Sequence, residues 1–177
     1  RDRAKVDVVA RSRHIRPTDN SLYEYPIVFM QGHSGFECDD DDIAAMRRYL
    51  QRGGVLLADA CCGRKPFDTA FRQMATQLFP DESLTILPAD HPIDRGETGI
   101  DLGELRCRPA MAKRITARGT SRPPLESVTI DGRTVILYSQ YDWSCSLEGD
   151  HPYSCVGYAD ADGKRLALAM FLYLINY

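Results

Sequence analysis

The chain has 177 residues, 44% hydrophobic and 27% charged, with a net charge of −3 and an isoelectric point near 5.8. That length suits one domain with a sizeable core, and residues 1–177 read as a single α/β domain. The acidic balance and the lack of a basic stripe argue against a nucleic-acid partner. No apolar run approaches the ~20 residues of a membrane span, so no membrane contact is expected of this segment.

In chain order, Lys5–Ala10 (KVDVVA) reads as a first short strand, followed by a polar loop. Pro26–Gln31 (PIVFMQ) is a nearly continuous apolar run, expected for a strand buried on both faces, and it ends in the loop Gly32-His33-Ser34-Gly35. Asp39–Asp42 supplies cap and first-turn carboxylates. Ile43, Met46 and Leu50 follow at helical spacing and Gly53-Gly54 closes the unit, which predicts a helix over Asp39–Arg52. Val55–Asp59 (VLLAD) is again a buried strand, so the three elements form a βαβ unit with parallel strands.

Phe67, Phe71, Met74 and Leu78 predict a second helix ended by Pro80, and Leu84–Leu87 a third parallel strand. Residues 88–122, rich in Gly, Arg and Pro, read as an irregular insertion with one strand near Glu104–Arg108. Ser127–Ile130 and Thr134–Gln140 flank Asp131-Gly132, a hairpin signal. Asp162–Asn176 is apolar on nearly every side and is expected to form a largely buried helix.

The reactive residues fall just past the strands: His33 after the first of these runs, Asp59, Cys61 and Cys62 at the second, His91 after the third, and Asp142, Trp143 and Cys145 after the last. Open α/β sheets bind ligands at the carboxyl ends of their strands. Cys61, between a strand and a helix, is placed where backbone N–H groups and the helix dipole favour a thiolate. The other reading is a small apolar residue closing a tight corner. Gly32 and its neighbours allow close backbone approach to a ligand. His91, in Asp90-His91-Pro92, reads either as a ligand or as part of a rigid turn, and Trp143 either orients a site or fills the core edge. A metal needs several of His33, Asp59, Cys61, His91, Asp142 and Cys145 to converge. No pair shows local ligand spacing and no double CxxC exists, so no metal or cofactor is assigned. The six cysteines are expected to be mostly reduced.

The segments YPIVFMQGHSGF, DDDDIAAMRRYLQRGGVLLADACCG, FDTAFRQMATQLFP, LPADHPI and PPLESVTIDGRTVILYSQYDWSCSLEG, with the closing helix, together resemble the bacterial domain of unknown function 4159 family. That family is similar to the class I glutamine amidotransferase-like fold. The resemblance implies a three-layer, mostly parallel, flavodoxin-like sheet with an antiparallel hairpin, here lacking its first strand and helix. Cys61, in Asp59-Ala60-Cys61-Cys62-Gly63, matches the amidotransferase nucleophile, and His151-Pro152-Tyr153 resembles the late His-Pro-Glu with tyrosine in place of glutamate. Arg64-Lys65-Pro66 stands where glutamine recognition would follow, so glutaminase activity is not expected. The resemblance therefore implies a module that binds a small molecule or a protein, through Gly32, Ser34, Asp59, Cys62, Gly63, His91, Asp142, Trp143 and Cys145. The alternatives are a cysteine-dependent hydrolase or transferase, with Cys61 as nucleophile and His33 or His151 as base, and a metal-dependent hydrolase. The chain opens on Arg1-Asp2-Arg3 without Met and reads as a fragment. Family members that resemble this chain are often parts of longer membrane-attached or secreted bacterial proteins, so its compartment is left open.

Overall fold

The computed structural model describes residues 13–94, 100–149 and 154–176. The strand expected at Lys5–Ala10 and the His151 segment lie outside them.

Five strands form one sheet in the order β1 (Ile27–Gly32), β2 (Val55–Ala60), β5 (Arg133–Ser139), β4 (Glu126–Ile130) and β3 (Thr85–Ile86). The first three are mutually parallel, while β4 pairs antiparallel with both β5 and β3. Helix α1 (Asp40–Gln51) joins β1 to β2 and starts as its sequence predicts, with the Asp39 carboxylate accepting from the Asp42 N–H at 2.8 Å. Helix α2 (Lys65–Leu78) follows β2, with Pro66 in its first turn. The hairpin between β4 and β5 turns on Asp131 and Gly132, both with positive φ, as a two-residue turn between right-twisted strands requires.

Period-two alternation sorts β2 between two cores. Leu56, Ala58 and Ala60 face the core built by α1 and α2, together with Ile43, Leu50, Phe67 and Phe71. Leu57 faces the other, packed by Leu137 and by helices α3 (Pro109–Thr116) and α5 (Asp160–Asn176) through Met111, Ile115, Leu166 and Met170, with the single turn α4 (Cys145–Glu148) between β5 and α5. The sheet thus carries an apolar layer on each face.

Four expectations are corrected. Leu84–Leu87 yields only the two-residue edge strand β3, which pairs antiparallel with β4 and leaves Ile86 62% exposed. β5, seven residues long and apolar through Val135–Tyr138, takes the central place beside β2 instead. The strand expected at Glu104–Arg108 is reduced to a single bridge between Cys107 and Tyr158. Within 88–122, Ile93, Ile100, Leu102 and Leu105 are buried with the second core and α3 forms a helix. β1 is only half-buried, because its sheet neighbour among the described residues lies on one side alone. Finally, α5 buries its first half, but Phe171 and Ile175 are exposed, so its apolar composition does not measure its burial.

Candidate functional site

The registers Gln31↔Asp59 and Asp59↔Ser139 align the carboxyl ends of β1, β2 and β5. The chain leaving β5 folds back over this edge and is held by Asp59. One oxygen of that carboxylate accepts the backbone N–H groups of Trp143 and Ser144, each at 3.0 Å, and the other accepts the Ser144 hydroxyl at 3.2 Å. The Ser144 hydroxyl also reaches Gln31 Oε1 at 2.9 Å. Asp59 is fully buried. Burial, and then the charge of Asp142, push its carboxyl up to about 7 against these hydrogen bonds.

The returning chain brings Asp142 and Cys145 to the turn after β2. Asp142 accepts from the backbone N–H of Cys62 through one oxygen and from that of Cys145, at 2.9 Å, through the other. A third segment arrives beside them, where Asp142 bridges Gly157 and the Cys155 thiol donates to the Asp142 carboxylate at 3.4 Å. Burial opposes ionisation of Asp142, but the donors from Cys145, Cys62 and Cys155 outweigh it and hold this carboxyl below its ordinary range. Two buried carboxylates thus diverge: Asp142 is held as an anion and Asp59 retains its proton far more readily.

Four thiols meet around Asp142. Cys61, Cys62 and Cys155 are buried, Cys145 is half-buried, and all are free. Cys61 Sγ lies 3.5 Å from Cys145 Sγ. The side-chain ligand atoms of Cys61, Cys62, Asp142 and Cys145 all fall within 4.8 Å of one another. Adjacent cysteines in an extended chain would point apart. Here Cys62 adopts φ 52°, ψ 22°, one of only two positive φ values outside glycine among the described residues. That left-handed residue turns the chain so that both thiols face one cluster, and it is backbone strain of about 1 kcal/mol.

The electrostatics of Cys61 run opposite to the expected thiolate. Helix α2 begins only at Lys65. Burial raises the Cys61 thiol first, followed by the neighbouring Cys145 thiol and the Asp142 charge. Burial, and then the hydrogen bond and charge of Asp142, push Cys145 up to about 12 against the opposing hydrogen bond with Cys61.

The remaining expected residues are placed as follows. His33 and Ser34 are exposed at the end of β1, and neither hydrogen-bonds within the described residues, so His33 is not a partner of Cys61. His91 follows β3, three strand spacings from β2, roughly 14 Å across the sheet, and does not join the cluster. Its Nδ1 accepts from Ile93 N–H at 3.3 Å and its ring lies 4.8 Å from that of Tyr173, which is the rigid-turn reading. Trp143 is buried with its ring 5.2 Å from Phe29. Gly32 serves packing, since a Cβ there would meet the Phe67 ring at 2.7 Å, and Gly63, at φ 59°, would meet Val156 at 2.9 Å. Sequence reasoning missed Cys155 altogether and set Cys62 apart from metal chemistry. The overlooked signal is two short arms, the Cys61-Cys62 pair and the three-residue step from Asp142 to Cys145. A cleft of about 750 Å³ between Phe36–Cys38 and α2 shares no lining residue with the cluster.

The family described as Domain of unknown function (DUF4159) matches residues 1–175. No curated protein matches this chain.

Proposed function

We propose, for a chain that belongs to this family of unknown function, that it is a ligand-binding module whose site is the thiol–carboxylate cluster at the carboxyl ends of β2 and β5. The observation that carries this reading is the convergence of Cys61, Cys62, Asp142 and Cys145 within 4.8 Å. Three separate chain segments are tied together there by buried hydrogen bonds, and strained backbone at Cys62 is spent on the convergence. The scaffold reading is class I amidotransferase-like and flavodoxin-like. Its support is the parallel run β1–β2–β5 with a cysteine at the turn after its central member.

The cysteine-nucleophile alternative has less behind it. A nucleophile needs a base within ~2.6–3.2 Å, whereas the hydrogen-bond partner of Cys61 is a second thiol and its pKa is raised. The test is the pH dependence of iodoacetamide labelling at each cysteine of the reduced, metal-free chain, read by mass spectrometry. Slow labelling of Cys61 up to alkaline pH is expected. Fast labelling with an apparent pKa well below the free-thiol value of about 8.5 would favour the hydrolase or transferase instead.

A further inference from the structure

The geometry points to one zinc ion as the ligand of this cluster, held by the thiolates of Cys61, Cys62 and Cys145 and the carboxylate of Asp142. This rests on the binding reading above and gives it a chemical identity. A tetrahedral zinc with Zn–S near 2.3 Å sets its sulfur atoms roughly 3.8 Å apart. Cys61 Sγ and Cys145 Sγ already stand 3.5 Å apart, and no pair of the four ligand atoms exceeds 4.8 Å. Closing on an ion therefore takes side-chain shifts of under about 1 Å, without moving the backbone. Sulfur-rich donor sets select zinc and other soft ions over magnesium or calcium.

The surroundings fit the same assignment. Asp142 is oriented by the N–H groups of Cys62 and Cys145 and by the Cys155 thiol, as carboxylate ligands are fixed by outer partners. Cys145 is the half-buried member and gives the ion its way in. Two ligands come from each arm, so the ion would clamp the turn after β2 to the chain after β5. Four protein ligands leave no open position for water, which makes this a structural centre and not a hydrolytic one. On binding, the three thiols release about three protons to solvent and no electrons are transferred. Affinity therefore rises with pH.

The full chain, reduced and stripped with a chelator, is titrated with zinc against a competing chromophoric chelator. Bound metal is counted by elemental analysis after dialysis. Cobalt(II) serves as the spectroscopic probe. One zinc per chain is expected, with a thiolate-to-cobalt charge-transfer band that Cys61→Ser, Cys145→Ser and Asp142→Asn each weaken. Each of these variants is expected to lose at least about tenfold in affinity. Cys155→Ala, removing an outer partner, is expected to lose about 10–100-fold, and Cys155→Ser to recover most of that. Cys38→Ser and Cys107→Ser lie outside the cluster and are expected to bind like the parent chain. Near-ultraviolet circular dichroism of each variant separates lost binding from lost fold, and the parent titration stands independently of every variant. Oxidation of Cys61 and Cys145 to a disulfide with no zinc retained by the reduced chain overturns the proposal. So does zinc binding that survives Cys145→Ser. Failure to bind zinc while Cys61 labels slowly removes the zinc assignment alone. Fast, low-pKa labelling of Cys61 removes the binding reading beneath it.

Discussion

Ser144 stands on the Asp59 carboxylate, its backbone N–H donating to Oδ2 at 3.0 Å and its hydroxyl to Oδ1 at 3.2 Å. Through this contact, and the Trp143 N–H beside it, the last buried residue but one of β2 decides where the chain after β5 lies. Asp142 and Cys145 flank the tethered pair, so the thiol cluster is assembled one step away from the residue that assembles it. Removing the acceptor strands two buried N–H groups, each costing ~1–3 kcal/mol. Asp59→Ala is expected to lose about 3 kcal/mol, read as a lower urea midpoint at unchanged m-value. Asp59→Asn keeps one acceptor oxygen and is expected to lose less than half of that. Equal losses in the two variants would mean that the tether is not what Asp59 contributes.

The third segment of the site depends on a glycine. Any Cβ on Gly157 would run into the Asp142 carbonyl oxygen and side chain, and backbone at that distance cannot give way. Gly157→Ala is expected to cost ~1–3 kcal/mol as an overpacking change and to pull Cys155 away from Asp142. Gly35 is the contrasting case, because a Cβ there makes only an ordinary 3.7 Å contact with the Pro66 carbonyl. Gly35→Ala should leave thermal stability nearly unchanged. Melting temperatures of the two variants against the parent check both statements.

His33 was legible as a loop histidine next to the right strands, but not as an exposed one. Its substitution by alanine is expected to change stability by less than ~0.5 kcal/mol and to leave cysteine labelling rates as they were. A marked fall in Cys61 labelling on His33→Ala would place the imidazole at the thiol after all.

How far the sequence reaches can be judged on particular residues. Local signals are legible: the Asp39 cap, the Asp131-Gly132 turn and the apolar run of β2 each act through neighbours in the chain, and the structure has them all. Pairing is less so. Leu84–Leu87 and the apolar part of β5 look alike as short apolar runs, and the competition for the place beside β2 is won by the length and full burial of β5. The same holds at the site. Asp59, at the end of β2, and Cys61, Asp142 and Cys145, which follow strands, are visible because strand ends are readable. Cys62 is hidden by the rule that neighbours point apart, which a single left-handed residue reverses. Cys155 follows no strand and enters through long-range contacts, the bridge between Asp142 and Gly157 and the Val156 N–H on the Cys62 carbonyl. In the Asp68–Arg72–Glu126 network only the i,i+4 pair Asp68–Arg72 is local, while the link from Arg72 to Glu126 joins α2 to β4 across more than fifty residues and leaves no signal.

That network makes the last prediction. Asp68 is buried and accepts from Lys65 at 3.1 Å, Arg72 at 2.8 Å, the Tyr138 hydroxyl at 3.0 Å and Gln140 at 2.9 Å. Burial alone would raise its pKa. The Arg72 charge and the hydrogen bonds from Lys65, Gln140 and Tyr138 outweigh it, and the net direction is downward. A carboxyl whose folded pKa lies below its unfolded value of about 3.9 binds fewer protons folded than unfolded. Its contribution is therefore complete above that unfolded value and is lost as pH falls through it toward the folded pKa. Asp68→Asn removes this titration and leaves Arg72 with Glu126 alone. At neutral pH the variant is expected to be less stable by about 3 kcal/mol, the loss typical of breaking one side of a buried ion pair. As pH falls below about 3.9 the two stabilities should draw together, because the parent loses what the variant never had. Asp142 and Asp162 are also held low, so both proteins will weaken in acid and only their difference reports Asp68. Urea unfolding at several pH values gives that difference directly, and two curves that stay parallel down to pH 3 would show that Asp68 does not carry the acid sensitivity assigned to it.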